Sequence, residues 1–269
     1  MNFKDLNSGY KITRIDKKIA AIIPSFNEEK TIVNVIKETK KYVDIIISVD
    51  SSTDNTPKLI EQQFPDVLLI KEKKGKGRQI RKGIKEVKKF NIDYVVFIDS
   101  DGERDPNDIP KLIEKIELNN VDMIIGTRDE MRSWNRNFLN KFVAFWVNNV
   151  TGFKLKDALS GFIVIKKESI KKLKLSSSNF EIETEIILEA MRNNLKIIEA
   201  DVSVPKISKS KCTFEYMLQI NSFFDEWVLK WVKNEPHRLN FGKRLFLSFF
   251  CLIGLFLTKC YYCLKEVTL

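Results

Sequence analysis

Apolar runs and helical stripes take turns along the first two hundred residues of this chain. Residues 19–23 are a continuous apolar run closed by Pro24, and residues 45–49 run apolar into Asp50. Residues 66–70 and 122–126 repeat the pattern. Between them lies the run that organises the rest: Tyr94, Val95, Val96, Phe97 and Ile98 lead into Asp99, Ser100, Asp101, Gly102 and Glu103. Short β-branched runs bounded by turn residues read as buried strands. Helical spacing fills the gaps, with Ile32, Val33, Ile36 and Val43, then Leu59, Ile60 and Phe64, then Ile80, Ile84 and Val87. Ile109, Leu112, Ile113 and Ile116 form a fourth stripe. Asn27 reads as the cap of the first helix, with Glu28 and Glu29 favouring its positive end. Strands alternating with helices predict an α/β fold, a layered and mostly parallel sheet.

In such sheets ligands gather at the carboxyl ends of the strands. Asp99, Asp101 and Glu103 follow one such end and can bring three carboxylates to one point. That set suits Mg²⁺ or Mn²⁺ holding phosphate oxygens; a solvated acidic turn is the plainer reading. The first strand ends in Pro24 and acids, without the glycine fingerprint of a dinucleotide site. Gly75, Lys76 and Gly77 lack the spacing and the Lys-Ser/Thr pair of a P-loop. Acids at this place repel a bare diphosphate, so a bound nucleotide diphosphate would need a metal between.

The length, 269 residues, fits one sizeable domain with an appendage, or two small domains. A net charge of +10, scattered along the chain, suits phosphate-bearing ligands or an anionic membrane surface. No aromatic–basic interleaving accompanies it, so nucleic acid is not an expected partner. The four cysteines, Cys212, Cys251, Cys260 and Cys263, all lie in the last sixty residues. Cys260 and Cys263 have metal-like spacing but no second ligand pair, and read as packing or lipid-facing thiols. The polar start before Ile19 predicts no secretory signal, and the thiol pattern a reduced, cytosolic setting. With one histidine, His237, in a polar linker, histidine acid–base chemistry is not expected.

After Cys212 the pattern changes. Met217, Ile220, Phe224, Trp227, Val228 and Trp231 form an amphipathic stripe beside Lys230, Lys233, Arg238, Lys243 and Arg244. Residues 245–258 then carry no charge. Taken on to Leu264 past a snorkelling Lys259, the run reaches about 20 residues, the length of one membrane span, with a re-entrant or buried helix as the alternative. The division expected is a catalytic domain over 1–210, an interfacial amphipathic helix and linker over 211–240, and a span with a short tail over 241–269. Basic residues ahead of the span place the catalytic domain on the cytoplasmic side.

Five motifs also stand in a single order. Pro24, Asn27, Glu28 and Glu29 come first, then Asp50, Ser52, Asp54 and Thr56, then Gly75, Lys76 and Gly77. Asp99, Asp101 and Glu103 follow, then Asp157, Ser160, Gly161 and Phe162. This series resembles the family-2 glycosyltransferases over about residues 18 to 210. Within that family it is most similar to the dolichyl- and polyprenyl-phosphate sugar synthases. Val49 and Ser51 depart from the usual Asp-Asp-Gly-Ser loop, and Gly102 and Glu103 from the usual Leu-Gln.

The resemblance implies a GT-A fold, a parallel-rich sheet with the nucleotide over the ends of the first four strands; the residue pattern after Cys212 adds the C-terminal amphipathic and membrane-associated helical appendage. It implies a metal-dependent, inverting transfer of sugar from a nucleotide-diphosphate donor to a lipid phosphate. Pro24, Asn27, Glu28, Asp50 and Ser52 would hold the nucleotide, with Lys76, Asp99 and Ser100 beside it. Asp99, Asp101 and Glu103 would hold the metal, and Asp101 counts as catalytic. Gly126, Thr127 and Arg128 resemble the Gly-Ser-Arg of the lipid-phosphate members. Arg128 and Arg136 are therefore assigned to the acceptor phosphate, whose shape guanidinium matches. Asp157 is the candidate base for a hydroxyl acceptor on a glycan or glycolipid, and otherwise orients Arg128 or the acceptor loop. Glu183 is a minor site candidate on an acid-opened helix; Ser208 to Lys211 weakly resemble a family Gly-x-Ser-Lys element. A non-catalytic, membrane-tethered nucleotide-sugar binder is the alternative of another class.

Overall fold

The structure, a computed structural model, describes residues 17–127, 134–203 and 214–234, with Ser248, Cys251 and Leu252. The elements in order are β1 (Ile19–Ser25), α1 (Ile32–Thr39), β2 (Ile45–Asp50), α2 (Thr56–Gln63), β3 (Leu68–Lys71) and α3 (Lys76–Val87). Then come β4 (Tyr94–Phe97), α4 (Ile109–Asn119), β5 (Met123–Thr127), α5 (Trp134–Thr151), β6 (Ile163–Lys166) and α6 (Lys167–Ile170). The remaining elements are α7 (Ile182–Arg192), β7 (Ile197–Asp201) and α8 (Phe214–Asn234).

The strands form one seven-stranded sheet in the order β3-β2-β1-β4-β6-β5-β7. Its pairs are parallel except at β6, which runs antiparallel to both β4 and β5. Strand side chains alternate between faces, and both faces are covered. On one, Ile22, Val49 and Phe97 meet Ile80, Ile84 and Val87 of α3 and residues of α5, α7 and α8. On the other, Ile23, Ile46 and Val96 meet Ile32 and Ile36 of α1, Ile60 of α2, and Ile109, Leu112, Ile113 and Ile116 of α4. The result is a three-layer α/β/α sandwich, and the helical stripes seen in the sequence are its outer layers.

The sheet is mostly parallel, as expected, with β6 antiparallel to both of its neighbours. Two expectations change. Asn27 does not cap α1: the helix starts at Ile32 after Thr31, and Asn27 takes a left-handed φ of 56°, which asparagine tolerates. Val43 lies beyond the end of α1, in the turn before β2.

In α8, Ile220, Phe224, Val228 and Trp231 are buried in the same core as α5 and α7. The expected span lies almost wholly outside the described residues. So do the Cys260/Cys263 pair, His237 and the Ser208–Lys211 element. Among the described residues no helix is long and apolar enough to cross a membrane.

Candidate active site

β1 and β2 run parallel with Ser25 opposite Asp50, so their ends open side by side. Asp50 is buried there at 2% exposure. Its carboxylate accepts from Ser25 Oγ at 2.7 Å, Ser52 Oγ at 2.6 Å and the Ser52 amide at 3.0 Å. The next loop is stitched to it. Asn27 N–H donates to Ser52 Oγ at 2.7 Å, Thr53 N–H to Asn27 Oδ1 at 2.8 Å, and Glu28 N–H to Thr56 Oγ1 at 2.9 Å. Gln79, reaching in from α3, donates to the carbonyls of Ser25 and Val49 at 2.6 and 3.0 Å. These bonds hold Asn27, Glu28, Asp50 and Ser52 as one rigid rim. Pro24 joins the rim to the next strand, since its carbonyl accepts from Ser100 Oγ at 2.8 Å.

β4 ends just before the acidic turn. Gly102, at φ 74°, lets the chain double back so that Glu103 N–H donates to Asp101 Oδ1 at 2.9 Å. Thr31 Oγ1 holds the Ser100 carbonyl at 2.7 Å. Asp99 Oδ1 lies 2.6 Å from Lys76 Nζ, and the same ammonium lies 2.5 Å from Glu183 Oε1. Lys76 can reach both because the start of α3 presses on the 177–178 backbone. A Cβ on Gly75 would stand 2.3 Å from the Ser178 carbonyl, and one on Gly77 2.4 Å from that of Ser177. Only glycine fits either position.

The electrostatics follow from this crowding. Burial, and then the charge of Asp99, pushes the Asp101 carboxyl up to about 6. Burial and the Asp99 charge raise Glu183 as well, against the pull of Lys76. Burial alone would lower the Lys76 ammonium, but the charges of Asp99 and Glu183 hold it above its ordinary value.

Among the described residues no three acidic, histidine or cysteine side chains form a ready metal cage. Asp99 and Asp101 nonetheless suit Mg²⁺ or Mn²⁺. Small divalent cations take one or two carboxylates and complete their shell with water and substrate phosphate. Asp101, raised by burial and then by its neighbour's negative charge, is a carboxylate that a cation would relieve. Gly161, at the entry to β6, closes over this pair: a Cβ there would stand 2.2 Å from Asp99 Oδ2. Gly161→Ala is expected to displace the Asp99 carboxylate and lower turnover about tenfold or more. Kinetics at saturating Mn²⁺ check this, and an unchanged kcat would refute it.

Arg104, unforeseen in the sequence, is buried at 3% exposure behind the acidic turn. It donates to Ser160 Oγ at 2.9 Å and to the Gly126 carbonyl at 3.3 Å. Ser160 Oγ in turn donates to the same carbonyl at 2.6 Å. Asp157 Oδ2 lies 3.8 Å from the Arg104 guanidinium. Glu199 accepts from the Lys156 and Asp157 amides at 2.8 and 2.9 Å and fixes the loop from behind. Asp157 therefore pairs with Arg104 in the interior. Arg128 and Arg132 lie outside the described residues, and Arg136 lies on α5 with its side chain outside them.

Residues 20–173 match the model of glycosyl transferase family 2. An uncharacterised protein of Methanocaldococcus jannaschii is 35% identical over 199 residues, 68% of this chain and 86% of that one. The UDP-N-acetylglucosamine–dolichyl-phosphate N-acetylglucosaminyltransferase of Methanococcus voltae is 30% identical over 214 residues, 70% of this chain and 85% of that one. Glucosyl-3-phosphoglycerate synthase from Mycobacterium tuberculosis, solved with Mn²⁺, UDP and phosphoglyceric acid, has a TM-score of 0.65 at 19% identity. That likeness covers 80% of this chain and 81% of the other. The sheet, with the rim at Asp50 and the acidic turn after β4, is thus the GT-A fold of a glycosyltransferase. The chain belongs to glycosyl transferase family 2.

Proposed function

We propose that this glycosyltransferase is metal-dependent and inverting, and moves a sugar from a nucleotide-diphosphate donor to a polyprenyl phosphate at a membrane. The observation that carries the reading is the Lys76–Asp99–Asp101 cluster at the end of β4, beside the rim built on Asp50. Pro24, Asn27, Glu28, Asp50 and Ser52 form the floor for base and ribose, and Lys76 and Ser100 flank the diphosphate. Asp99 and Asp101 would hold Mg²⁺ or Mn²⁺, with Glu103, whose amide donates to Asp101 Oδ1, as the third acid of the turn. The bound cation supplies charge neutralisation to the departing nucleoside diphosphate. The acceptor oxygen attacks the anomeric carbon from the opposite face and inverts it.

A hydroxyl acceptor needs a protein base, whereas a phosphate is already an anion and needs cations to hold it. Asp157, the candidate base, is 1% exposed and faces Arg104, which favours the phosphate reading. Arg128 and Arg136 are the cations for that phosphate. The relative in Methanococcus voltae is named for a dolichyl-phosphate acceptor. The uncharged run at 245–258, preceded by basic residues, would tether the enzyme with its catalytic domain on the cytoplasmic side.

The test is to incubate membranes carrying the protein with labelled nucleotide sugars, Mg²⁺ or Mn²⁺, and polyprenyl phosphate. Label should enter the organic phase with one donor, and Asp101→Ala should abolish it. Arg128→Ala is expected to cut transfer by about 10²-fold while metal-dependent donor hydrolysis persists. Near-normal transfer by that variant would sink the phosphate acceptor. Hydrolysis without labelled lipid from any donor would do the same and leave the donor site standing.

A further inference from the structure

Three acids open α7, and they do different work. Glu181 accepts from the amides of Ser178 and Asn179 at 3.1 and 3.0 Å. Glu185 accepts from the Ser176 amide and hydroxyl and from the Ser177 amide at 2.7–2.9 Å. Both fix the 176–179 loop, against which Gly75 and Gly77 press. Glu183, between them, makes no bond to that loop. It is 4% exposed, its Oε1 meets Lys76 at 2.5 Å, and its Oε2 is buried without a hydrogen-bond partner. An acid at a helix N-terminus satisfies the helix dipole from the solvent side, so burial is not explained by the helix. It is explained by the lysine.

That lysine has a second carboxylate, Asp99, at 2.6 Å. A divalent cation at Asp99 and Asp101 must share Asp99 with an ammonium already seated on it. An ammonium has three donors and needs a partner wherever it is buried. With Glu183 present, Lys76 stays neutralised after Asp99 turns to the cation, and its other donors are freed toward the donor diphosphate. Without Glu183, Lys76 has Asp99 as its remaining close partner, and the two positive charges contend for one carboxylate.

We infer that Glu183 is a positioning residue that keeps Lys76 neutralised in place when Asp99 turns to a divalent cation, so that lysine and cation serve the donor diphosphate together. This rests on the reading of Asp99 and Asp101 as the cation site. Glu181 and Glu185 supply the rigid frame, and Glu183 sets where the ammonium stands within it.

The test uses the full-length protein without donor or acceptor and measures free Mn²⁺ by electron paramagnetic resonance. Glu183→Gln keeps the side chain's shape and removes its charge. It should weaken Mn²⁺ binding about tenfold, as expected for partners in one ion-pair network, and Glu183→Asp should recover part of the loss. In a Lys76→Met background, where no ammonium needs holding, Glu183→Gln should change Mn²⁺ binding less than about twofold. Equal loss in both backgrounds would make Glu183 a plain negative charge and overturn the inference, as would no loss in either. Absence of Mn²⁺ binding by the unaltered protein would overturn the cation site itself, and the inference with it. Thermal unfolding of each variant identifies any that fail to fold; Glu183→Asp then carries the comparison.

Discussion

Asp101→Asn is expected to cut sugar transfer by about 10³-fold and to make the metal-free protein more stable. The activity loss follows from the proposed role of Asp101 as one of two carboxylates that would hold the cation facing the leaving diphosphate, an interaction that is strongest as charge develops there. The gain in stability has a different origin. Burial and the Asp99 charge hold the Asp101 carboxyl at about 6, well above its ordinary 3.8. A carboxyl raised in the folded state binds its proton more tightly there than in the unfolded chain, so ionising it at neutral pH costs folding free energy. Allowing for the partial exposure of Asp101, the cost is about 2 kcal/mol. Replacement by asparagine relieves it, worth roughly 4–6 °C in melting temperature for a protein of this size. The advantage should be full above pH 6 and fade as pH falls from about 6 toward 4, where the native protein carries Asp101 protonated. Saturating Mn²⁺ should reverse the order, because it stabilises the native protein and not the variant. Melting curves in chelator and in Mn²⁺ decide this; a variant less stable than the native protein in chelator at pH 7.5 would contradict it.

Arg104→Ala is expected to destabilise the fold by about 3–5 kcal/mol, a large share of the stability of a domain this size. The guanidinium is 3% exposed and Asp157, its ionic partner, 1%. Removing the arginine strands a carboxylate in the interior and frees Ser160 from one of its bonds. A double change, Arg104→Leu with Asp157→Leu, removes both charges and should recover most of the loss, since the penalty belongs to the unpaired charge more than to the missing pair. Urea denaturation of the three proteins measures it. A single variant that loses less than about 1 kcal/mol would mean the pair is solvated and the buried geometry wrong.

Much of the fold could be read from the chain because β1, β2 and β4 are continuous apolar runs. All four residues of the fourth stripe, Ile109 to Ile116, lie buried on α4. β6 and β7 escaped for different reasons. Ile163 to Ile165 is a short run attached to the Ser160–Gly161 motif, and periodicity cannot tell a run that brief from a loop. β7 is an edge strand whose Glu199 and Asp201 mask its pattern. Asn27 misled because the side chain that makes asparagine a good cap also lets it enter the left-handed region. At the site, sequence order brought the acidic turn and Gly75–Lys76–Gly77 forward as separate motifs. No local pattern shows that Lys76 bridges Asp99 to Glu183, since those contacts depend on how α3 and α7 pack across the sheet. Arg104 was silent for the same reason: a charged residue in a turn reads as solvated until Asp157 and Ser160 are brought to it.

The antiparallel strand has a consequence for how a ribosome must deliver this protein. β1 finds both of its neighbours, β2 and β4, in the first hundred residues. β5 pairs only with β6 and β7, both of which emerge after it. A nascent chain released as far as Thr127 can assemble β3-β2-β1-β4, yet it carries β5 with nothing to bond to. The apolar edge of β4, meant for β6, then stays bare until Lys166 is free. Unpaired apolar edges join one another, and slow, non-local pairing prolongs their exposure. Fragments that stop short of Ile163 should precipitate, while the complete sheet buries that edge at its centre.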